Sequence, residues 1–185
     1  RDLTQFRKMQ EIMREQYPLV FSKLEFTDID GNMLLRWPGK DPSKNGILLM
    51  GHQDVVPAEE TDWKHDPFSG LIADGCVHGR GAMDCKCTVM CEFSAIEELL
   101  AEGFEPECDV YLASSVDEEL GGHGADATVA YLQEKGVRLA AVMDEGGAIA
   151  MVRNCWYYQS DVLNKALSAA LADNATTVKN ALEAY

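Results

Sequence analysis

Two side chains that could bind and orient a metal ion stand two residues apart in the sequence. His52 and Asp54 follow the short apolar run Gly46–Met50, which is typical of a buried strand. Because side chains alternate along an extended chain, His52 and Asp54 are predicted to share one face. One imidazole nitrogen could then bind a metal while the other donates a hydrogen bond to the carboxylate, as is common for zinc-bound histidines. A histidine with a purely structural role is the alternative.

Acidic residues stand at the ends of two further predicted strands, both of which we expect to be buried. The apolar run Val110–Val116 ends at the acidic segment Asp117–Glu119, and the run Leu139–Met143 ends at Asp144. In an open α/β sheet, ligands bind in the crevice outside the C-terminal ends of the strands. We therefore expect both acidic segments to lie near His52. A solvated turn at the surface is the alternative for each of them.

Another acid, Asp84, closes the glycine-rich segment Gly79–Asp84, where small residues allow a close approach to a ligand. Capping of the following helix is the alternative role for Asp84. If all these acids meet in one crevice, they raise one another's pKa and oppose folding unless a cation lies among them. Imidazole and carboxylate ligands without thiolates are typical of catalytic zinc, with manganese or cobalt as substitutes.

The elements that must position these residues follow from the spacing of apolar residues. A first helix is predicted between Asp2, its N-cap, and Pro18, with later helices over 88–100 and 126–134. Two hairpins are predicted to turn at Asp30-Gly31 and at Asp74-Gly75. The alternation of strands and helices indicates an α/β fold with a mostly parallel or mixed central sheet flanked by helices.

The composition is that of one folded domain. Hydrophobic residues make up 46% and charged residues 25% of 185 residues. The net charge of −15 argues against nucleic acid and anionic membranes as partners, and no apolar run approaches the ~20 residues that span a bilayer. Six cysteines without a CxxC pair predict mostly free thiols in a reducing compartment, and hence a cytoplasmic protein.

Five segments together resemble the M20 metallopeptidases, in order and in spacing, and most closely the branch of carboxypeptidase S and the N-acyl-amino-acid hydrolases. The resemblance covers roughly residues 6–149 and implies a zinc-peptidase-like catalytic domain. The five segments are Gly51–Pro57, Trp63–Gly70, Gly79–Lys86, Asp117–Glu119 and Asp144–Gly147.

The resemblance implies a role for each matching residue. His52 and Asp144 would bind one zinc ion, Asp84 would bridge two, and Glu119 would bind the second. Asp54 would orient His52, and Glu118 would act as the general base. The list of implied metal ligands is therefore His52, Asp84, Glu119 and Asp144.

The resemblance also implies a cis peptide bond after the bridging aspartate, here Asp84–Cys85. Related sequences often carry a second aspartate where this chain has Cys85. Cys85 and Cys87 could themselves be thiolate ligands, which we regard as the weaker alternative.

The implied activity is hydrolysis of an amide or peptide bond through a metal-activated water, with a dipeptide, a C-terminal residue or an N-acyl amino acid as substrate. Family members also contain a lid or dimerisation domain and a late histidine ligand. We recognise no lid domain within these 185 residues, and we expect no late histidine ligand because no histidine follows Asp144. A catalytically impaired or non-catalytic metal-binding domain is therefore the alternative function.

A longer form could be a homodimer. We expect a partial catalytic domain over 1–150 and a helical tail over 151–185.

Overall fold

The computed structural model describes residues 2–59, 63–145, 149–152 and 155–158. The chain divides into two compact units, 1–143 and 144–185. In chain order the elements are α1 (Thr4–Gln16), α2 (Pro18–Lys23), β1 (Glu25–Ile29), β2 (Asn32–Trp37), β3 (Gly46–His52), β4 (Leu71–Ala73), β5 (Cys76–His78), α3 (Cys87–Ala101), β6 (Val110–Ser115), α4 (His123–Glu134), β7 (Leu139–Met143), β8 (Ile149–Val152) and β9 (Cys155–Tyr158).

The first unit is built on a mixed five-stranded sheet in the order β1-β2-β6-β3-β7. β2 pairs antiparallel with β1 and with β6, whereas β3 pairs parallel with both β6 and β7. Because β3, β6 and β7 run in the same direction, their C-terminal ends lie side by side. The predicted α/β fold with a mixed sheet is confirmed.

Helices cover both faces of this sheet, because successive residues of each strand point to opposite faces. On one face, Leu35 and Leu112 pack with Phe93 of α3 and with residues of α1 and α2. On the other face, Leu34 and Tyr111 pack with Leu132 of α4. The sheet is therefore held from both sides by apolar packing.

The N-terminal segment departs from its prediction. Asp2 is not the N-cap of α1, although its Oδ1 accepts the backbone N–H of Thr4 at 2.9 Å. Pro18 is the first residue of a second helix and does not merely follow the first one. Proline suits this position because the N–H group at the start of a helix has no partner within the helix, so its absence costs nothing. The hairpin turn at Asp30-Gly31 is confirmed, with φ values of 51° and 97° that suit a tight turn. The second hairpin, formed by β4 and β5, turns at Asp74-Gly75 as predicted.

The prediction that β7 is a buried strand is wrong. Its five residues form a strand with the predicted bounds, but four of them are exposed, because β7 lies at the edge of the sheet. An apolar run indicates a strand without indicating how many neighbours it has.

In the second unit, β8 and β9 pair as an antiparallel hairpin. Of the helical tail predicted over 151–185, residues 151–152 and 155–158 belong to β8 and β9 and are therefore strand, and the rest lies outside the described residues. The division into a domain over 1–150 and a tail stays a prediction. The five cysteines whose side chains the structure describes form no disulfide: Cys76, Cys85, Cys87, Cys91 and Cys108. Within the described ranges, no helix is both long and apolar enough to cross a membrane.

Candidate metal centre

His52 is the last residue of β3 and only 1% of it is exposed. Its Nδ1 lies 3.0 Å from the backbone carbonyl oxygen of Asp54 and 3.2 Å from Oδ1 of the same residue. Two acceptors therefore face Nδ1, which favours the tautomer with the proton on that nitrogen. The Nε2 atom is then left to face the remaining acids.

Carboxylate oxygens from two other segments approach His52 Nε2. Oδ1 of Asp84 lies 2.9 Å away and Oε2 of Glu118 lies 3.9 Å away. His52, Glu118 and Glu119 also place ligand atoms within 4.8 Å of one another. The structure thus brings together four residues that the sequence predicted to share a site.

Asp84 occupies the irregular segment Ala82–Lys86, with φ −109° and ψ 98°. The N-cap of α3 is Lys86, so the alternative that Asp84 caps this helix is wrong. The cis peptide bond expected between Asp84 and Cys85 is confirmed. With 69% of its side chain exposed, Asp84 presents its carboxylate at the open side of His52.

Asp54 links the histidine to the acidic segment. Its Oδ1 accepts the backbone N–H of Glu118 at 3.1 Å, and its Oδ2 accepts that of Glu119 at 3.0 Å. One buried carboxylate therefore fixes the backbone of both acids while its Oδ1 also lies beside His52 Nδ1. Asp54 is 6% exposed, which protects these hydrogen bonds from competition by water.

Partial burial raises the pKa of Glu118 above its ordinary value. The neighbouring imidazole of His52 acts in the opposite direction, while the carboxylates of Glu119, Asp54 and Asp84 raise this pKa further. Glu118 therefore holds a proton more readily than an isolated glutamate does.

Asp117 connects the acidic segment to the start of α4. Only 1% of Asp117 is exposed, and its Oδ1 accepts the backbone N–H of Gly124 at 2.8 Å. Beside it, Oδ1 of the buried Asn32 accepts the N–H of Val116 at 3.0 Å. Asp117 thus uses its carboxylate within the fold, which leaves Glu118 and Glu119 at the site.

Asp144 directly follows β7 and is the first residue of the second unit. Its Oδ1 accepts the backbone N–H of Glu145 at 2.9 Å. Its role as a zinc ligand stays a prediction.

Two residues beside the site, Cys85 and Lys86, have interactions that sequence reasoning did not predict. The sulfur of the buried Cys85 accepts the backbone N–H of His52 at 3.0 Å. Lys86 is partly buried, and burial lowers its pKa although the charge of Asp54 opposes the shift. The signal for both was their place next to Asp84 in the segment that ends at Lys86.

The other three histidines lie elsewhere in the first unit. His65 and His78 pack edge to face, with ring centroids 4.9 Å apart. His123 is the first residue of α4, and it is exposed.

The donor set fits a metal ion such as zinc. An imidazole nitrogen whose partner nitrogen faces two acceptors, surrounded by several carboxylates, is the pattern of ligands found in catalytic zinc sites. Carboxylates at such close range repel one another unless a cation neutralises them. The residues that would hold the ion within the first unit are His52, Asp84 and Glu119.

Comparison with known proteins gives relatives for this arrangement. The chain is 47% identical over 111 residues to the N-fatty-acyl-amino acid synthase/hydrolase PM20D1 of Homo sapiens. This alignment covers 60% of this chain and 22% of that protein. It is 34% identical over 156 residues to carboxypeptidase S of Saccharomyces cerevisiae, and this alignment covers 80% of this chain and 27% of that protein. The chain thus spans less than a third of the length of either relative.

Two solved structures of M20 peptidases and related dipeptidases share the fold of this chain. The M20 family metallo-carboxypeptidase Sso-CP2 from Sulfolobus solfataricus superposes with a TM-score of 0.61 at 25% identity, over 78% of this chain and 32% of that one. Human carnosine dipeptidase 1 shares the fold with the same TM-score at 21% identity, over 82% of this chain and 35% of that one. The sequence model of peptidase family M20/M25/M40 matches residues 48–173, which is more than half of the chain. The chain therefore belongs to the M20/M25/M40 peptidase family, of whose catalytic domain it carries a part.

Proposed function

We propose that this chain is the metal-binding part of a zinc-dependent hydrolase that cleaves an amide or peptide bond. The observation that carries the proposal is the approach of Asp84 and Glu118 to Nε2 of His52, at 2.9 and 3.9 Å. When bound there, zinc lowers the pKa of a coordinated water and polarises the scissile carbonyl. Up to two ions, held by His52, Asp84, Glu119 and Asp144, fit the implied ligand set, and cobalt or manganese could substitute.

Glu118 is the residue best placed to move a proton. Its carboxylate is at the site, and burial together with three neighbouring acids raises its pKa toward the range useful in a general base. Its Oε2 would accept a proton from the attacking water and return it to the leaving amine. Asp54 would not touch the substrate, because its carboxylate is committed to the N–H groups of Glu118 and Glu119 and to the neighbourhood of His52.

The proposed substrates are small peptides and N-acyl amino acids. Support comes from the names of the relatives, one a carboxypeptidase and the other a synthase/hydrolase of N-fatty-acyl amino acids. Both classes of substrate contain an amide bond, which is the bond that the proposed chemistry breaks.

Zinc titration of the purified chain tests the proposal. His52→Asn removes the imidazole ligand and is expected to abolish high-affinity zinc binding. His123→Asn, at an exposed histidine, is the matched control and should bind zinc like the unaltered chain. The zinc-loaded protein is then assayed on dipeptides and N-acyl amino acids.

Two results would contradict the proposal. Failure of the unaltered chain to bind zinc would remove the metal centre itself. Zinc bound through His52 without hydrolysis of any of these amides would leave the metal-binding domain that the sequence analysis kept as its alternative.

A further inference from the structure

Two buried amide side chains join α1 to the residue between His52 and Asp54. Gln10 is 3% exposed and Gln53 is 2% exposed. Nε2 of Gln10 donates to Oε1 of Gln53 at 2.9 Å and also to the backbone carbonyl of Gly31 at 2.8 Å. Gln10 is one of only two buried residues of α1, so this helix contributes a polar side chain to the interior, where it contacts Gln53.

The orientation of the Gln10 amide is fixed by a third contact. Nη1 of Arg7 donates to its Oε1 at 3.0 Å. If the amide were rotated by half a turn, its oxygen would face Oε1 of Gln53 and the carbonyl of Gly31, which are both acceptors, and its NH₂ group would face a cation. Only one orientation therefore satisfies all three partners.

Gln53 is held at three points. Its side-chain oxygen accepts from Gln10, its Nε2 donates to the backbone carbonyl of Ser114 at 2.9 Å, and its backbone N–H donates to the carbonyl of Ser115 at 2.7 Å. The last two contacts tie the end of β3 to the end of β6, and the first ties it to α1. Since Gln53 lies between His52 and Asp54, movement of its backbone would move both neighbours.

From these contacts we propose that the Gln10–Gln53 pair positions the metal centre, by holding His52 and Asp54 in the geometry that zinc requires. The inference rests on the proposed function, because it assumes that His52 binds the metal. Both glutamines are positioning residues, which act through the backbone of the site and not on the substrate. Groups hydrogen-bonded directly to metal ligands typically change metal affinity by about 10–100-fold when they are replaced, and we expect the low end of this range for a pair that acts through the backbone.

Buried amides also stabilise a fold, so the experiment must separate the two roles. Gln10→Met keeps an unbranched side chain of similar length and removes both donors and the acceptor. Gln5→Met makes the same chemical change at an exposed position of α1 and is the matched control. Gln10→Glu retains the acceptor for Arg7 and loses the donors to Gln53 and Gly31, which provides a second variant if Gln10→Met does not fold.

Three quantities are measured on each folded variant of the full chain: the free energy of unfolding without metal, the dissociation constant for zinc, and the visible absorption of the cobalt(II) form. For the Gln10 variant that folds, we expect zinc to bind about tenfold more weakly and the cobalt band to shift, because the ligand geometry changes. Gln5→Met should change neither.

The outcomes distinguish this inference from the proposed function. Absence of zinc binding by the unaltered chain would remove the proposed function and the inference with it. If the unaltered chain binds zinc and a folded Gln10 variant keeps the same dissociation constant and cobalt spectrum, the amide pair has only a structural role and the inference alone fails.

Discussion

The backbone N–H of His52 donates a hydrogen bond to the sulfur of Cys85 at 3.0 Å. This contact joins the end of β3 to the segment that carries Asp84. Cys85→Ala removes the acceptor from a buried N–H, which is expected to lower the free energy of unfolding by about 1–3 kcal/mol. Urea denaturation measures the change, with Cys91→Ala at an exposed cysteine of α3 as the control. Equal stabilities of the two variants would show that the contact contributes nothing.

Glu118→Gln removes the proposed general base without changing the size of the side chain. We expect zinc binding to persist and the rate of amide hydrolysis to fall by about 10²–10⁴-fold, the usual contribution of general acid–base catalysis. The measurements are kcat on an N-acyl amino acid and the zinc content of the same preparation. Glu105→Gln, at an exposed glutamate after α3, should retain full activity. Full activity in Glu118→Gln would assign the proton transfer to another group.

Gly124→Ala tests the anchor beneath the acidic segment. In an ordinary helix alanine is more favourable than glycine by about 1 kcal/mol. Here the added Cβ would lie 2.3 Å from Oδ1 of Asn32 and 2.7 Å from Oδ1 of Asp117, both of which are buried. We expect a net destabilisation of roughly 1–3 kcal/mol in chemical denaturation, the usual cost of overpacking. A more stable variant would show that this cluster can move apart freely.

Asp109 predicts how stability depends on pH at the other end of β6. Burial alone would raise its pKa, but hydrogen bonds from Arg36 and the N–H of Gly39 outweigh that effect and hold the pKa below its ordinary value. A carboxylate with a lowered pKa stabilises the fold above its unfolded-state pKa of about 3.9, and this stability is lost as the pH falls through the folded-state pKa.

Asp109→Asn should therefore be less stable than the unaltered chain at about pH 7, with the difference shrinking toward about pH 3. Urea denaturation across this pH range measures the difference. Asp74→Asn, in the exposed turn between β4 and β5, is the control. A difference that stays constant with pH would show that the charge of Asp109 is not responsible.

Much of the fold could be predicted because its signals are local. The turn at Asp30-Gly31 needs two positive φ values, and a dipeptide suffices to indicate it. The apolar runs that became β3, β6 and β7 were visible for the same reason. The insertion of β6 between β2 and β3 was not, because it depends on pairing between residues far apart in the sequence.

The candidate site divides in the same way. His52, Asp84 and Glu118 could be predicted from local patterns. His52 and Glu118 follow apolar runs typical of strands, and Asp84 ends a glycine-rich segment. The partners of Cys85 and of Gln10 lie 33 and 43 residues away from them and leave none. A buried glutamine in an amphipathic helix has the same sequence signature as an exposed one, so only its tertiary contacts reveal its role.

The two edges of the five-stranded sheet differ in charge. β1 carries Glu25 and Asp28, and charged side chains hinder the addition of another strand. β7 carries no charge, and two of its exposed residues are Val142 and Met143. Among the described residues β7 pairs only with β3, so within that part of the chain its outer edge lies beside apolar side chains and carries no further strand. We therefore expect any strand that extends the described sheet to add at β7 and not at β1.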